Sequence, residues 1–155
     1  RNNGIDAEPE NAKLQLSTII GLNFKPSDMH ASVGLSNLKL LRENVKNVKQ
    51  IHDTYKNFLN NKRLDFLKKE THSSIPIYNC VFVRDRNKFI KFCENNEIGI
   101  HLGLRGLHEH APYKKNHTRF KSSYFISKHL IRLPSGPGYS AQEIKQVCKI
   151  LNRFK

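Results

Sequence analysis

The chain has 155 residues, of which 37% are hydrophobic, with nine Phe and five Tyr, enough for one domain with a core of its own. A formal net charge of +14, from 27 Lys and Arg against 13 Asp and Glu, is compatible with nucleic acid, an anionic surface or phosphorylated small ligands. No apolar run approaches the ~20 residues of a membrane span, and no signal-like apolar segment opens the chain, so no membrane association and a cytoplasmic location are expected.

Arg1 stands first and the sole methionine is Met29, so the chain is expected to be a fragment or a processed piece. Cys80, Cys93 and Cys148 are odd in number and far apart, which predicts reduced cysteines used as small core residues. Residues 5–18 are polar with a weak apolar rhythm and read as a loop. Pro26 biases Lys25 toward extended backbone. Ser27 is then placed to cap a helix through its side chain, with Asp28 in the first turn. From there to about residue 60, Leu38, Leu41, Val45, Val48, Ile51, Tyr55 and Leu59 recur at steps of three and four. That period predicts one long core helix or a broken pair. Residues 60–74 read as a polar connection and Ile75 to Val83 as a strand, with Pro76 near its entrance. Asp85 is placed to cap a short helix ending at Asn95-Asn96, and Ile98, Ile100 and Leu102 alternate as a second strand. Residues 104–118 form a loop dense in His and Gly, residues 120–129 a short helix, and Leu130 to Leu133 a third strand. After Pro134, Gly136, Pro137 and Gly138, Ser140 and Glu143 form a capping box for a closing helix carrying Ile144, Val147, Cys148 and Leu151. The order predicts an α+β fold, a short sheet covered by helices.

Few motifs carry chemistry by themselves. His108-Glu109-His110, with His101 and His117 nearby, resembles a chelating cluster, but no His-Glu-x-x-His or paired cysteines accompany it, and no metal is expected. There is no Gly-x-Ser-x-Gly and no phosphate loop. Asn23 and Lys25, held just before a helix start, suggest chemistry; read alone, Asn23 is a turn residue and His108 an exposed loop histidine.

The segment G-L-N-F-K-P-S-D-M-H-A-S-V-G-L-S-N-L, residues 21–38, resembles a segment of the DegT/DnrJ/EryC1/StrS family of pyridoxal-phosphate-dependent nucleotide-sugar aminotransferases. Arg1-Asn2-Asn3-Gly4, the Ile98–Tyr113 loop, and Leu133-Pro134 with Pro137, Ser140 and Glu143 follow the family's order. The resemblance implies the small C-terminal domain of a fold-type I pyridoxal-phosphate enzyme over residues 21–155, with residues 1–20 leaning on a missing large domain. It implies that Asn23 binds the cofactor phosphate in a partner subunit, that Lys25, in place of the family's usual Arg, holds substrate phosphate, and that His108 lines the sugar pocket. The Schiff-base lysine is expected before Arg1, so no catalytic residue lies in this chain, and the piece by itself is expected to be inactive. The implied reaction moves an amino group from an amino acid, typically glutamate, to a nucleotide-linked keto-sugar, in surface polysaccharide or related sugar biosynthesis, in a homodimer with pyridoxal 5'-phosphate. A keto-sugar dehydratase of the same family, and a non-enzymatic basic nucleic-acid-binding module, are the alternatives; nucleic acid is the weaker expectation.

Overall fold

The computed structural model describes residues 27–68, 74–113 and 117–155. The predicted loop at 5–18, Asn23 and Lys25 lie outside them.

The first long apolar run forms two helices, α1 (Asp28–Lys39) and α2 (Leu41–Phe58), broken at Leu40. Ser27 is the N-cap residue of α1, and it engages the His30 ring, with its hydroxyl 2.9 Å and its backbone N 3.4 Å from Nδ1. The predicted apolar stripe is buried only in its second half. Val48, Ile51, Tyr55 and Leu59 enter the core, whereas Leu38 and Leu41 stay exposed, and none of the residues of α1 is buried by the described residues.

The sheet has four strands in the order β1-β2-β4-β3, antiparallel throughout: β1 (Leu64–Phe66), β2 (Asn79–Val83), β3 (His101–Leu102) and β4 (Leu130–Leu133). Strand β1 lies inside the stretch expected to be only a polar connection. Its Leu-Asp-Phe alternation is three residues long, and pairing with β2 rather than intrinsic propensity makes it a strand. Strands β2 and β3 are shorter than their apolar patterns, starting at Asn79 and His101.

Alternation divides the sheet into two faces. Leu64, Phe66, Val81, Val83, Ile131 and Leu133 point into the core against α2, α3 (Arg86–Asn95) and α5 (Ala141–Leu151). Phe89 of α3 meets Phe154 edge-on, their ring centres 5.1 Å apart. The opposite face, with Asp65, Phe82 and Arg132, is flanked by α4 (Lys121–His129) through a Phe82–Phe125 contact. All three cysteines are buried and unbridged; burial pushes the thiols of Cys93 and Cys148 each up to about 12. Asp85 stands before α3, but its carboxylate goes to Lys88 at 3.0 Å instead of capping the helix. Ser140 and Glu143 do form the expected capping box on α5.

One polar network lies inside the core. His52 is fully buried, and its Nδ1 is 2.8 Å from Asn79 Oδ1. That oxygen only accepts, so Nδ1 carries the proton. Asn79 in turn donates from its backbone N and from Nδ2 to Ser135 Oγ, at 3.0 and 3.2 Å, and Ser135 Oγ donates to Leu133 O at 2.8 Å. With Tyr55 donating to Pro134 O at 3.0 Å, this chain ties α2 to the turn that leads into α5. At the far end of α2, Asn61 Nδ2 donates to Leu151 O and Phe154 O, both at 2.9 Å, fixing α2 to the end of α5. Among the described residues, no helix is long and apolar enough to cross a membrane.

Candidate functional site

The loop that leaves β3 is set by a close backbone approach. A Cβ at Gly103 would lie 2.7 Å from both Cβ and O of Leu130, so only glycine lets the end of β3 lie against the start of β4. The chain then runs through two short 3₁₀ turns, Leu107–Glu109 and Ala111–Tyr113. The second is continuous with the first through Tyr113 N donating to His110 O at 2.9 Å.

Arg105 and Glu109 clamp this loop. Arg105 Nη1 donates to Glu109 Oε2 at 3.0 Å, with side chains only 7% and 8% exposed. Burial pushes the Glu109 carboxyl up, yet hydrogen bonds from Ser127 and Arg105, the Arg105 charge and the Gly106 N–H together hold it below the usual carboxylate range. Ser127, on α4, is fully buried, and its carbonyl accepts from Arg86 Nη1 at 2.7 Å. Burial, and then the nearby Arg105 charge, lower the Arg86 guanidinium from its ordinary value, partly offset by Glu109. The loop is thus tied to α4 through Glu109 and Ser127, and α4 in turn to α3 through Arg86. A buried pair such as Arg105–Glu109 adds little stability when intact, but removing one partner strands the other charge in a dry site. Arg105 Nε is itself buried without a hydrogen-bond partner among the described residues.

His108 sits within this frame. It is 7% exposed, so it is not an ordinary exposed loop histidine; its ring stacks on Phe120 with centres 4.9 Å apart and planes 24° apart. A Cβ on Gly106 would come 2.5 Å from His108 Cε1 and 2.7 Å from Nδ1, so the ring occupies the space that glycine leaves. His110 is also buried. Burial and then Arg105 disfavour its charged form, while Glu109 opposes them, and its pKa is lowered.

Of the residues singled out in the sequence, His108 is buried within this loop against Phe120, while Asn23 and Lys25 lie outside the described residues. Arg86, Arg105, Glu109 and Ser127 had not been singled out. The opposite charges four residues apart at 105 and 109 were the available signal, but that spacing has meaning on a helix, and this segment reads as a loop. Among the described residues, no three His, Cys, Asp or Glu side chains converge as a metal site.

A model of the DegT/DnrJ/EryC1/StrS aminotransferase family matches residues 1–152. The GDP-perosamine synthase of Escherichia coli O157:H7 is 25% identical over 145 residues, covering 88% of this chain. This chain spans 38% of that relative's length. In fold, it is similar to Spr1654 from Streptococcus pneumoniae in its PMP form (TM-score 0.75, 19% identity, 86% of this chain and 36% of that one). It is also similar to the aminotransferase TlmJ from Streptoalloteichus hindustanus (TM-score 0.73, 18% identity, 88% and 38%). A third likeness is to Helicobacter pylori PseC, an aminotransferase involved in the biosynthesis of pseudoaminic acid (TM-score 0.62, 17% identity, 87% and 39%). With a family match that runs nearly end to end, the chain belongs to the DegT/DnrJ/EryC1/StrS aminotransferase family.

Proposed function

We propose that residues 21–155 form the small C-terminal domain of a fold-type I pyridoxal-phosphate-dependent sugar aminotransferase, with residues 1–20 running to a large domain. The whole enzyme moves an amino group from an amino acid, typically glutamate, to a nucleotide-linked keto-sugar. The observation that carries this reading is the family match over residues 1–152, supported by the loop that holds His108 rigidly between Gly106 and Phe120.

Pyridoxal phosphate, when bound, supplies the electron sink for such a reaction, and the protein supplies orientation. The described residues fit a share of that task. The Arg105–Glu109 clamp and the Phe120 stack fix the His108 imidazole with its neighbours already ordered, so little entropy is lost when a sugar hydroxyl or carbonyl meets it. Asn23, whose amide donates, is the residue proposed to hold the cofactor phosphate of the partner subunit, and Lys25 the substrate's phosphate. Lys25 offers a point charge where an arginine would offer a two-pronged fork. The exposed apolar side chains of α1, among them Met29, Val33 and Leu35, are proposed to meet the large domain and a second subunit in the homodimer.

The test uses the complete enzyme. Asn23→Ala removes a hydrogen bond to a charged group, worth roughly 1.5–3 kcal/mol, and should weaken cofactor binding about ten- to a hundredfold. Mixing it with a subunit that lacks the cofactor-bearing lysine should restore activity, because each mixed dimer then keeps one intact site. Heterodimers without restored activity, or normal cofactor binding by Asn23→Ala, would reduce Asn23 to a turn residue.

A further inference from the structure

At the sheet edge opposite β3, the open face carries an arrangement that the fold alone does not require. Strand pairing sets Leu64 against Val83 and Asp65 against Phe82. Arg63 immediately precedes β1 and Arg84 immediately follows β2, so the two flank the end of this ladder, and both are exposed. Neither arginine has an ion pair among the described residues, and the nearest carboxylate in sequence, that of Asp85, is engaged by Lys88 at 3.0 Å. Both arginines line a cleft of about 670 Å³ together with Lys62, Asp65, Phe125 and His129, a volume in the range of small-ligand sites.

The cleft also has an aromatic wall. Phe125 is 54% exposed, with its ring centre 6.0 Å from Phe82 and 4.5 Å from His129. His129 is held in place because its Nδ1 donates to Val83 O at 3.0 Å. Asn61 Oδ1 accepts from Arg63 N at 2.9 Å while its amide is tied to the end of α5, so the backbone that presents Arg63 is fixed as well.

We propose that this cleft is a binding site for a mononucleotide. Arg63 and Arg84, with Lys62 beside them in the cleft, take the phosphate, whose oxygens match guanidinium forks. The Phe125 ring offers a face for the base. Asp65, an acceptor free of ion pairs among the described residues, receives hydrogen bonds from the ribose hydroxyls. The site is independent of the reading given above: it lies along β1, whereas the His108 loop departs from β3 at the other edge of the sheet.

Isothermal titration of the chain with AMP at low salt tests this. The expected result is one saturable site, with adenosine, inorganic phosphate and the 2',3'-dideoxy nucleotide each binding at least about tenfold more weakly. Arg63→Ala/Arg84→Ala should lower affinity about a hundredfold and Phe125→Ala about tenfold. Lys46→Ala, in the separate α2–α5 groove, should change nothing. Because Arg84 is exposed, Arg84→Gln alone should weaken AMP binding while leaving the melting temperature without ligand unchanged. Absence of saturation, unchanged affinity in the double arginine variant, or inorganic phosphate binding as tightly as AMP would each overturn the proposal. A single-stranded oligonucleotide that saturates the chain without being displaced by AMP would overturn it too.

Discussion

Helices α1 and α2 follow one another with only Leu40 between them, and both carry apolar residues at helical spacing, yet their surroundings differ completely. Helix α2 sends Val48, Ile51 and Tyr55 into the core, and its buried His52 reaches the sheet through Asn79. Helix α1 buries no residue at all, and Leu35 is 66% exposed. A helix of 12 residues is marginal in water without tertiary packing. The body made of α2, the sheet, α3 and α5 is closed by its own contacts, whereas α1 presents an apolar surface that no described residue covers. That difference suits a chain spanning 38% of its curated relative's length.

The largest effect expected from this contrast comes from emptying the body and leaving α1 alone. Phe89 is fully buried, so Phe89→Ala should destabilise the chain by about 3–5 kcal/mol. Leu35→Ala in α1 should change stability by less than about 0.5 kcal/mol. Denaturant melts of the two variants side by side measure the difference, and equal losses would erase the distinction.

The loop of residues 104–113 belongs to the self-sufficient side, and its clamp sharpens the comparison. Glu109→Gln leaves Arg105 buried without its partner charge and should cost about 3 kcal/mol, seen as faster hydrogen exchange in the loop with little change in α2. Acid should act in the same direction. Glu109 has a folded value below its unfolded one, so its contribution is present above the unfolded value and is lost as pH falls through the folded one. His110, also lowered, contributes above its unfolded value near ~6.5 and loses that contribution as pH falls through its folded value. Protection factors in the loop, with the intrinsic pH dependence of amide exchange divided out, should therefore fall as pH drops from neutral, first with His110 and then with Glu109. A loop equally protected at pH 7 and pH 4 would contradict this.

Gly106→Ala is the smallest of these changes. The added methyl group would occupy the His108 ring's place, so the ring should move off Phe120, and its proton resonances should lose the shielding of that stack. Global stability should fall far less than in Phe89→Ala. Unchanged His108 resonances would show that the ring does not rest on that glycine.

Much of this body was legible in the sequence. The capping box at Ser140 and Glu143, the β-branched and aromatic run at 81–83 and the apolar face from Val48 to Leu59 each read correctly, because local pattern and tertiary role agree there. Strand β1 did not read, since three residues take their conformation from β2. The exposed fate of Leu38 and Leu41 was illegible for a different reason: period tells which residues share a face, not whether anything covers it. For the candidate site, the resemblance to the family singled out His108, but the clamp of Arg105, Glu109, Ser127 and Arg86 is assembled from three separate segments, and no spacing along the chain brings them together.

We propose that α1 belongs to an interface with the rest of a larger enzyme, and hydrogen exchange of residues 28–39 tests this most directly. In this chain alone, those amides should exchange close to the rate of an unstructured peptide while α2 remains protected. In the complete enzyme they should slow by at least about a hundredfold, which corresponds to roughly 2.8 kcal/mol of added protection. Equal protection of α1 in both would contradict the account, because the helix would then need no partner beyond the chain described here.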